Sequence, residues 1–534
     1  MRGAAERYLE APVPFGLRNE NACLGASMHK DMEHFLYCLS GLPRAFSENA
    51  NQSAQCLSSD DCSLAFISTV NPRGFGDRAL PILPIDTGRY GSAEIRAVFE
   101  DQARLQRMLD VEAALAWARA EVHDIPREVA QEIEYHASTK YVSIERVREV
   151  EKVVEHEIMA VVEVLSEASG KSGAYVHFGA TSSDILDTAA ALQMKEALEI
   201  VAGKLDRLEE TLLGLAKRYR GTLTIGRTHG QHALPMTLGL KFAVWLRELS
   251  RHIERLSQCR PRILVGKMSG AIGTMAGLGR NATRIQDLVM KRLGLGTPEV
   301  TSQIVQRDRY AELICLLAMI AGSLDKFATE IRNLQRPEIN ELAEPFEVGK
   351  QVGSSTMPQK RNPWRSENIS SLAKIERSLV APALESIVTW HERDLTQSAS
   401  ERFVIPEAFI LIDHVLDSMI RILSGLRVNE GQMLENLMKF KDPMMSEAVM
   451  VALVDKGMPR QEAHRLLRQV SSESQEKQRS FSQTLLENSR ISEHLSKEEI
   501  ESVLDPKSYL GMSVELVDAA IEKTLVERRA RSLS

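Results

Sequence analysis

Between Leu198 and Tyr219 the apolar residues fall at Leu198, Val201, Leu205, Leu208, Leu212, Leu215 and Tyr219, with spacings that alternate three and four. That spacing keeps one stripe of a helix apolar and predicts a helix that packs lengthwise against an equally long partner. Thr181-Ser-Ser-Asp184 supplies capping residues ahead of it, so the helix is expected to reach about Arg220, roughly 55–60 Å at 1.5 Å per residue. A second seam follows Arg307, through Leu313, Leu317, Ile320, Leu324, Phe327, Ile331 and Leu334. A third repeat, Val147, Val150, Val154, Ile158, Val161 and Leu165, predicts a helical stretch from about Ser143 to Gly170. Strand-like alternation is almost absent, so the expected fold class is all-α. Seams this long call for a bundle of long helices that draws on neighbouring copies of the chain.

The chain has 534 residues, enough for about three domains at roughly 100–200 residues each. Residues 1–80 are rich in Ser, Asn, Cys and Gly, lack periodicity, and read as a poorly structured extension. After them we expect an N-terminal helical domain at 81–185, a central long-helix bundle at 186–430 and a C-terminal helical domain at 431–534. Hydrophobic residues make up 43% of the chain, sufficient for a sizeable core. The net charge of −7 provides no global basic field for nucleic acid, so an anionic ligand must be held by locally placed Arg and Lys. No apolar run reaches the ~18 residues of a membrane span. No signal peptide opens the sequence, so the default location is the cytoplasm. The six cysteines form no C-x-x-C pair, which argues against a disulfide framework or a zinc site.

Several segments carry candidate chemistry. Gly353-Ser-Ser-Thr-Met-Pro-Gln-Lys-Arg-Asn-Pro363 lies between helical regions and combines hydroxyls, cations and an amide; by composition it is either an ordinary polar loop or a mobile catalytic one. Gly226-Arg-Thr-His-Gly-Gln-His-Ala-Leu-Pro235 places His229 and His232 three apart near an expected helix start, with no acidic or Cys ligand at a zinc-like spacing. In His177-Phe-Gly-Ala-Thr-Ser-Ser-Asp184, Thr181 and Ser182 stand where the first long helix begins. Free N–H groups and the positive end of the helix dipole there suit a carboxylate, and plain capping is compatible with this. Arg393, Ser398 and Arg402, in Trp390-His-Glu-Arg-Asp-Leu-Thr-Gln-Ser-Ala-Ser-Glu-Arg402, either suit a phosphate dianion or line a charged helix face. His156, between Glu155 and Glu157, lies off the apolar stripe and is a solvated histidine or a site residue.

The segment 353–363 resembles the signature loop of the fumarase/aspartase superfamily, G-S-S-x-M-P-x-K-x-N-P, and meets every defined position. The resemblance implies an all-helical homotetramer, with a bundle of long helices from all four subunits, that eliminates across a C–N or C–O bond to release fumarate. It makes Ser354 the general base, Lys360 its cation and Asn362 a donor to a substrate carboxylate. T-H-x-Q is similar to the loop of the superfamily's general acid, here His229, a task suited to a side chain that titrates near neutral pH. Within the superfamily, Arg89-Tyr90 and the 390–402 segment resemble the adenylosuccinate lyases, whose nucleotide phosphate they grip. The same resemblance assigns Glu367 to orienting His229, Thr181 and Ser182 to the succinyl part, and His156 and Gln303 to substrate contact. Gln359 departs from the His or Tyr frequent there. The implied substrates are adenylosuccinate and the aminoimidazole succinocarboxamide ribotide, with no metal or organic cofactor, and with each site shared by three subunits. Argininosuccinate lyase and the muconate cycloisomerase branch are the rival readings inside the superfamily. A non-catalytic helical assembly protein is the rival outside it, disfavoured by the joint presence of Ser354, Lys360, Asn362, His229 and Glu367.

Overall fold

A computed structural model describes Leu83, residues 85–347 and residues 349–533; the expected extension 1–80 lies outside the described residues. Both long seams form as expected. Helix α6 runs Ser182–Arg218, 37 residues or about 55 Å. Of its seam residues Leu198, Val201, Leu205, Leu208 and Leu212 are fully buried, and Leu215 is half-buried near the end. Helix α9, Asp308–Leu334, buries every seam residue from Leu313 to Leu334. Helix α7 (Leu238–Ile263) and helix α12 (Ser398–Ser424) pack against both, and α10 (Trp364–Ser378) runs back along α9. The apolar stripes thus meet in one continuous core that also takes in α1 (Ala93–Phe99) and α2 (Asp101–Glu121), while α3 (Arg127–His136) packs on α2.

The third expected stretch is broken. Helix α4, Ile144–Val154, stops at Glu155, which adopts left-handed backbone (φ 49°), and α5 restarts at Glu157–Ala168. His156 is extended and caps α5, its Nδ1 accepting the Met159 N–H at 3.3 Å. The polar run Glu155-His-Glu157 offers the bundle no apolar knob, so the apolar repeat carries across a turn and not through one helix.

The chain is not purely helical. Strands β1 (Leu223–Thr228) and β2 (Gln231–Thr237) pair as a hairpin whose two-residue turn is His229-Gly230. Both turn residues have positive φ, 53° and 73°, as a type I′ turn demands. Helix α8 is Ala282–Leu293 and α11 is Val380–Glu385. The two-residue strand β3 (Leu342–Ala343) pairs with β4 (Arg427–Val428). Beyond it α13 (Glu430–Met444) packs on the hairpin. Helices α14 to α18, between Ser446 and Val503, build a second core from Met445 to Leu504. The last helix, α19 (Ser513–Leu533), packs on α6 and α7, where Glu527 pairs with Arg247 at 2.8 Å.

Candidate active site

The candidate residues gather at two ends of the bundle. At the first end, α6 opens behind Thr181, whose N–H donates to Asp184 Oδ2 at 2.8 Å, completing half of a capping box. Asp184 is fully buried and also accepts from Ser269 N (2.8 Å), Gly270 N (3.1 Å) and the ammonium of Lys267, itself fully buried. A buried carboxylate needs this many donors to stay charged. The cluster fixes where Thr181 and Ser182 stand. His156 Nε2 lies 3.4 Å from Ser182 Oγ. Because Nδ1 accepts a backbone N–H, the neutral ring carries its proton on Nε2, turned toward Ser182. Gln303 is held by the Ala271 carbonyl (2.8 Å), and its Oε1 accepts from Arg393 (2.9 Å).

Arg393, Ser398 and Arg402 line a cavity of about 240 Å³ together with Arg104, Arg307 and Glu401. Arg402 donates to Glu157 (2.8 Å), and Arg104 pairs with the same carboxylate. Burial pushes the Glu157 carboxyl up, but hydrogen bonds from Arg104 and Arg402 outweigh it and hold it below the usual range. Arg307 bridges Asp187 (2.8 and 2.9 Å) and Glu401 (2.7 and 3.1 Å). His177, whose φ is 60°, leans on buried Glu112 at 2.6 Å. Burial lowers its pKa, but the Glu112 charge and hydrogen bond more than reverse this, and the net shift is upward. Arg119, also buried, donates to the carbonyls of Phe178 and Leu278 and so straps the Phe178-Gly179 turn in place.

At the other end stand His229, Ser354, Lys360, Asn362 and Glu367. Arg227, in the hairpin strand before His229, makes a bidentate pair with Glu341 (2.9 and 2.6 Å), which is fully buried. Three residues on, Glu344 caps α10, accepting from Ser366 N at 2.6 Å. The hairpin and the start of α10 are therefore tied to one strap. Gln335, just past α9, donates to the Arg361 carbonyl (3.0 Å), which fixes the base of the signature loop at this end. A Cβ on Gly353 would sit 2.2 Å from the Lys360 carbonyl, so only glycine lets the loop close on itself. Ser354 Oγ accepts the N–H groups of Met357 (3.2 Å) and Thr356 (3.4 Å). His229 is exposed at the hairpin tip, and Glu367 is exposed in the first turn of α10. His232 stacks near Phe440, ring centroids 4.5 Å apart; burial and then Arg227 lower its pKa.

The α9 axis, 27 residues or about 40 Å, separates Gln303 and Arg393 from the Ser354 loop. One chain does not bring the two groups together. Arg89 and Tyr90 stand apart from the cavity: Tyr90 meets His414 edge-on at 5.1 Å, His414 lies 3.1 Å from Asn368, the neighbour of Glu367, and Ser92 N–H donates to Asp413 (2.7 Å). That is 11 residues along α12 from Arg402, about 17 Å. Sequence reasoning passed over Lys267, Arg307, Glu401, Glu157, Glu112 and Glu341, because each is a charged residue whose burial only the tertiary fold creates. It also missed the hairpin, although His229-Gly230 between two short β-prone runs is a turn signal.

Comparison with known proteins decides between the members of the superfamily. A family described as "Lyase" matches residues 88–375, and one described as "Adenylosuccinate lyase C-terminus" matches residues 443–520. Adenylosuccinate lyase of Pyrococcus horikoshii is 50% identical over 443 residues, covering 83% of this chain and 98% of that protein. That of Methanocaldococcus jannaschii is 44% identical over 451 residues, covering 84% and 97%. The chain belongs to the adenylosuccinate lyase family. It is an enzyme of the lyase class. Among solved structures, a fumarate lyase from Mesorhizobium sp. BNC1 superposes with TM-score 0.75 at 33% identity, over 81% of this chain and 98% of that one. The 3-carboxy-cis,cis-muconate lactonizing enzyme of Pseudomonas putida gives 0.75 at 32%, over 82% and 98%. The rival cycloisomerase branch thus shares the fold, while the higher identities and the C-terminal match go with the adenylosuccinate lyases. Among the described residues no helix is long and apolar enough to cross a membrane.

Proposed function

We propose that this lyase releases fumarate from adenylosuccinate, giving AMP, and from the aminoimidazole succinocarboxamide ribotide, in sites that neighbouring copies of a homotetramer complete. The observation that carries the mechanism is the Ser354 loop. Two backbone N–H groups converge on Ser354 Oγ, and Lys360 shares the loop. Donors to the charged form lower the cost of an alkoxide, which is what a serine needs to act as a base. Ser354 takes a proton from the succinyl β-carbon; the C–H pair becomes the new C=C bond and the C–N bond breaks. His229, oriented by Glu367, protonates the departing nitrogen. Lys360 and Asn362 receive the charge that spreads into the carboxylate. From the other end of a neighbouring bundle, Thr181, Ser182 and His156 hold the succinyl part and Gln303 contacts the substrate. Arg393, Ser398 and Arg402 hold the phosphate, with Arg89 and Tyr90 drawn from a further copy. The steps call for no cofactor.

Purified full-length protein given adenylosuccinate should produce AMP and fumarate in equal amounts. Ser354→Ala should lose about 10²-fold or more in kcat while still binding AMP. Retention of a tenth of the activity sinks Ser354 as the base.

A further inference from the structure

The cavity that holds Arg393, Ser398 and Arg402 carries almost as many fixed negative charges as positive ones before any ligand enters. Its four guanidiniums, Arg104, Arg307, Arg393 and Arg402, face Asp187 and Glu401 in the lining and Glu157 just behind it, while Asp101 at the rim is paired with Arg148. Only Arg393 among the four has no carboxylate at ion-pair distance; its partner is the Gln303 amide. Three buried polar atoms in the same lining have no hydrogen-bond partner: Tyr310 Oη, Gln397 Oε1 and Arg393 Nε. Tyr310 and Gln397 are 4% and 2% exposed, so bulk water does not serve them. Such atoms mark a space built for a polar ligand. Yet a dianion placed here leaves one uncompensated negative charge in a buried site, which is unfavourable.

One carboxylate can relieve this. Glu157 is held by two guanidiniums. Asp187 accepts from both Nη atoms of Arg307 and from Val305 N (2.8 Å). Asp101 sits on the surface beside Arg148. Glu401 has Arg307 alone, shared with Asp187. The groups facing it are Asp187 from α6, Arg307 and Tyr310 from α9, Arg393 from the preceding loop, Arg402 on its own helix, and Arg104 and Asp101 from α2, with Glu157 of α5 behind. Burial pushes the Glu401 carboxyl up, Arg307 opposes this, Asp187 adds to it, and the net shift is upward. We propose that a phosphate dianion enters this cavity together with one solvent proton, which bonds to a Glu401 carboxylate oxygen and leaves Arg307 paired with Asp187. The proposal rests on the reading of this cavity as the nucleotide-phosphate pocket.

The sign follows directly: the bound state holds one more proton than the free state, so affinity is greatest at low pH and falls as pH rises. Sulfate is the probe, because it stays a dianion throughout pH 5.5–8.5 and contributes no titration of its own. Measured as competition with adenylosuccinate on the full-length enzyme, the sulfate inhibition constant should rise with pH, approaching about tenfold per unit once free Glu401 is ionised. Glu401→Gln should flatten that slope, and Arg393→Ala should weaken sulfate at every pH. If Arg393→Ala leaves sulfate unaffected, the phosphate-pocket reading falls and the proposal with it. If Arg393→Ala weakens sulfate but the wild-type constant is independent of pH, or Glu401→Gln keeps the slope, the pocket stands and the proton is refuted. Calorimetry of sulfate binding to the wild type, in two buffers of different ionisation enthalpy, gives the proton count without any variant. Uptake near one supports the coupling, and uptake near zero overturns it.

Discussion

Two inactive variants should restore each other when mixed, provided their lesions lie at opposite ends of the bundle. Ser354→Ala removes the proposed base at the signature-loop end. Arg393→Ala/Arg402→Ala removes two guanidiniums at the other end, about 40 Å away along α9. Charge-assisted hydrogen bonds are worth about 1.5–3 kcal/mol each. Arg402 already shares Glu157, so its loss costs least, and the double variant should fall by about 10²- to 10³-fold in kcat/KM. Each variant alone therefore keeps on the order of 1% of activity. If every site takes its two halves from different chains, equal mixing with random exchange leaves both halves intact in about a quarter of sites. Activity should climb to roughly a quarter of wild type, read by fumarate absorbance while native mass spectrometry follows subunit exchange. Confirmed exchange with activity no higher than the two variants together would mean that one chain supplies both halves, and the shared-site argument would be wrong.

Lys267→Met strands Asp184 without its cation and should cost about 3–5 kcal/mol in urea unfolding at fixed protein concentration. Lys267→Met/Asp184→Asn should recover part of that loss, and a double variant no more stable than the single one would contradict a charge-based cost. Buried His252 has its pKa lowered to about 4, by burial first and then by Arg255. The unfolded chain takes up this proton near pH 6.5 and the native chain only near 4, so the contribution is complete above 6.5 and fades as pH falls toward 4. It amounts to roughly 3 kcal/mol, so His252→Gln should flatten the acid limb of the stability profile between those values. Deleting residues 1–80 should leave activity intact, since relatives aligned over 98% of their own length match only 83% of this chain; an inactive truncation would show that the extension takes part in folding or catalysis.

The local code determined a good deal by itself. Heptad spacing placed α6 and α9 and named their buried faces, because a 3.6-residue period turns spacing directly into a stripe. The Gly353–Pro363 segment was legible as a motif because its residues are contiguous. The break at Glu155-His156 was harder to read, since an apolar period continues in register across a short cap. The charged network around Arg307, Glu401 and Glu157 was invisible, because its members lie 53 to 245 residues from their partners and look like any solvated charges. Only the tertiary fold decided that these charges are buried, that Arg402 already has a partner, and that one chain holds the two groups of candidate residues at opposite ends. Spacing along a helix fixes which side faces inward, but which distant charge meets it there depends on how the helices pack.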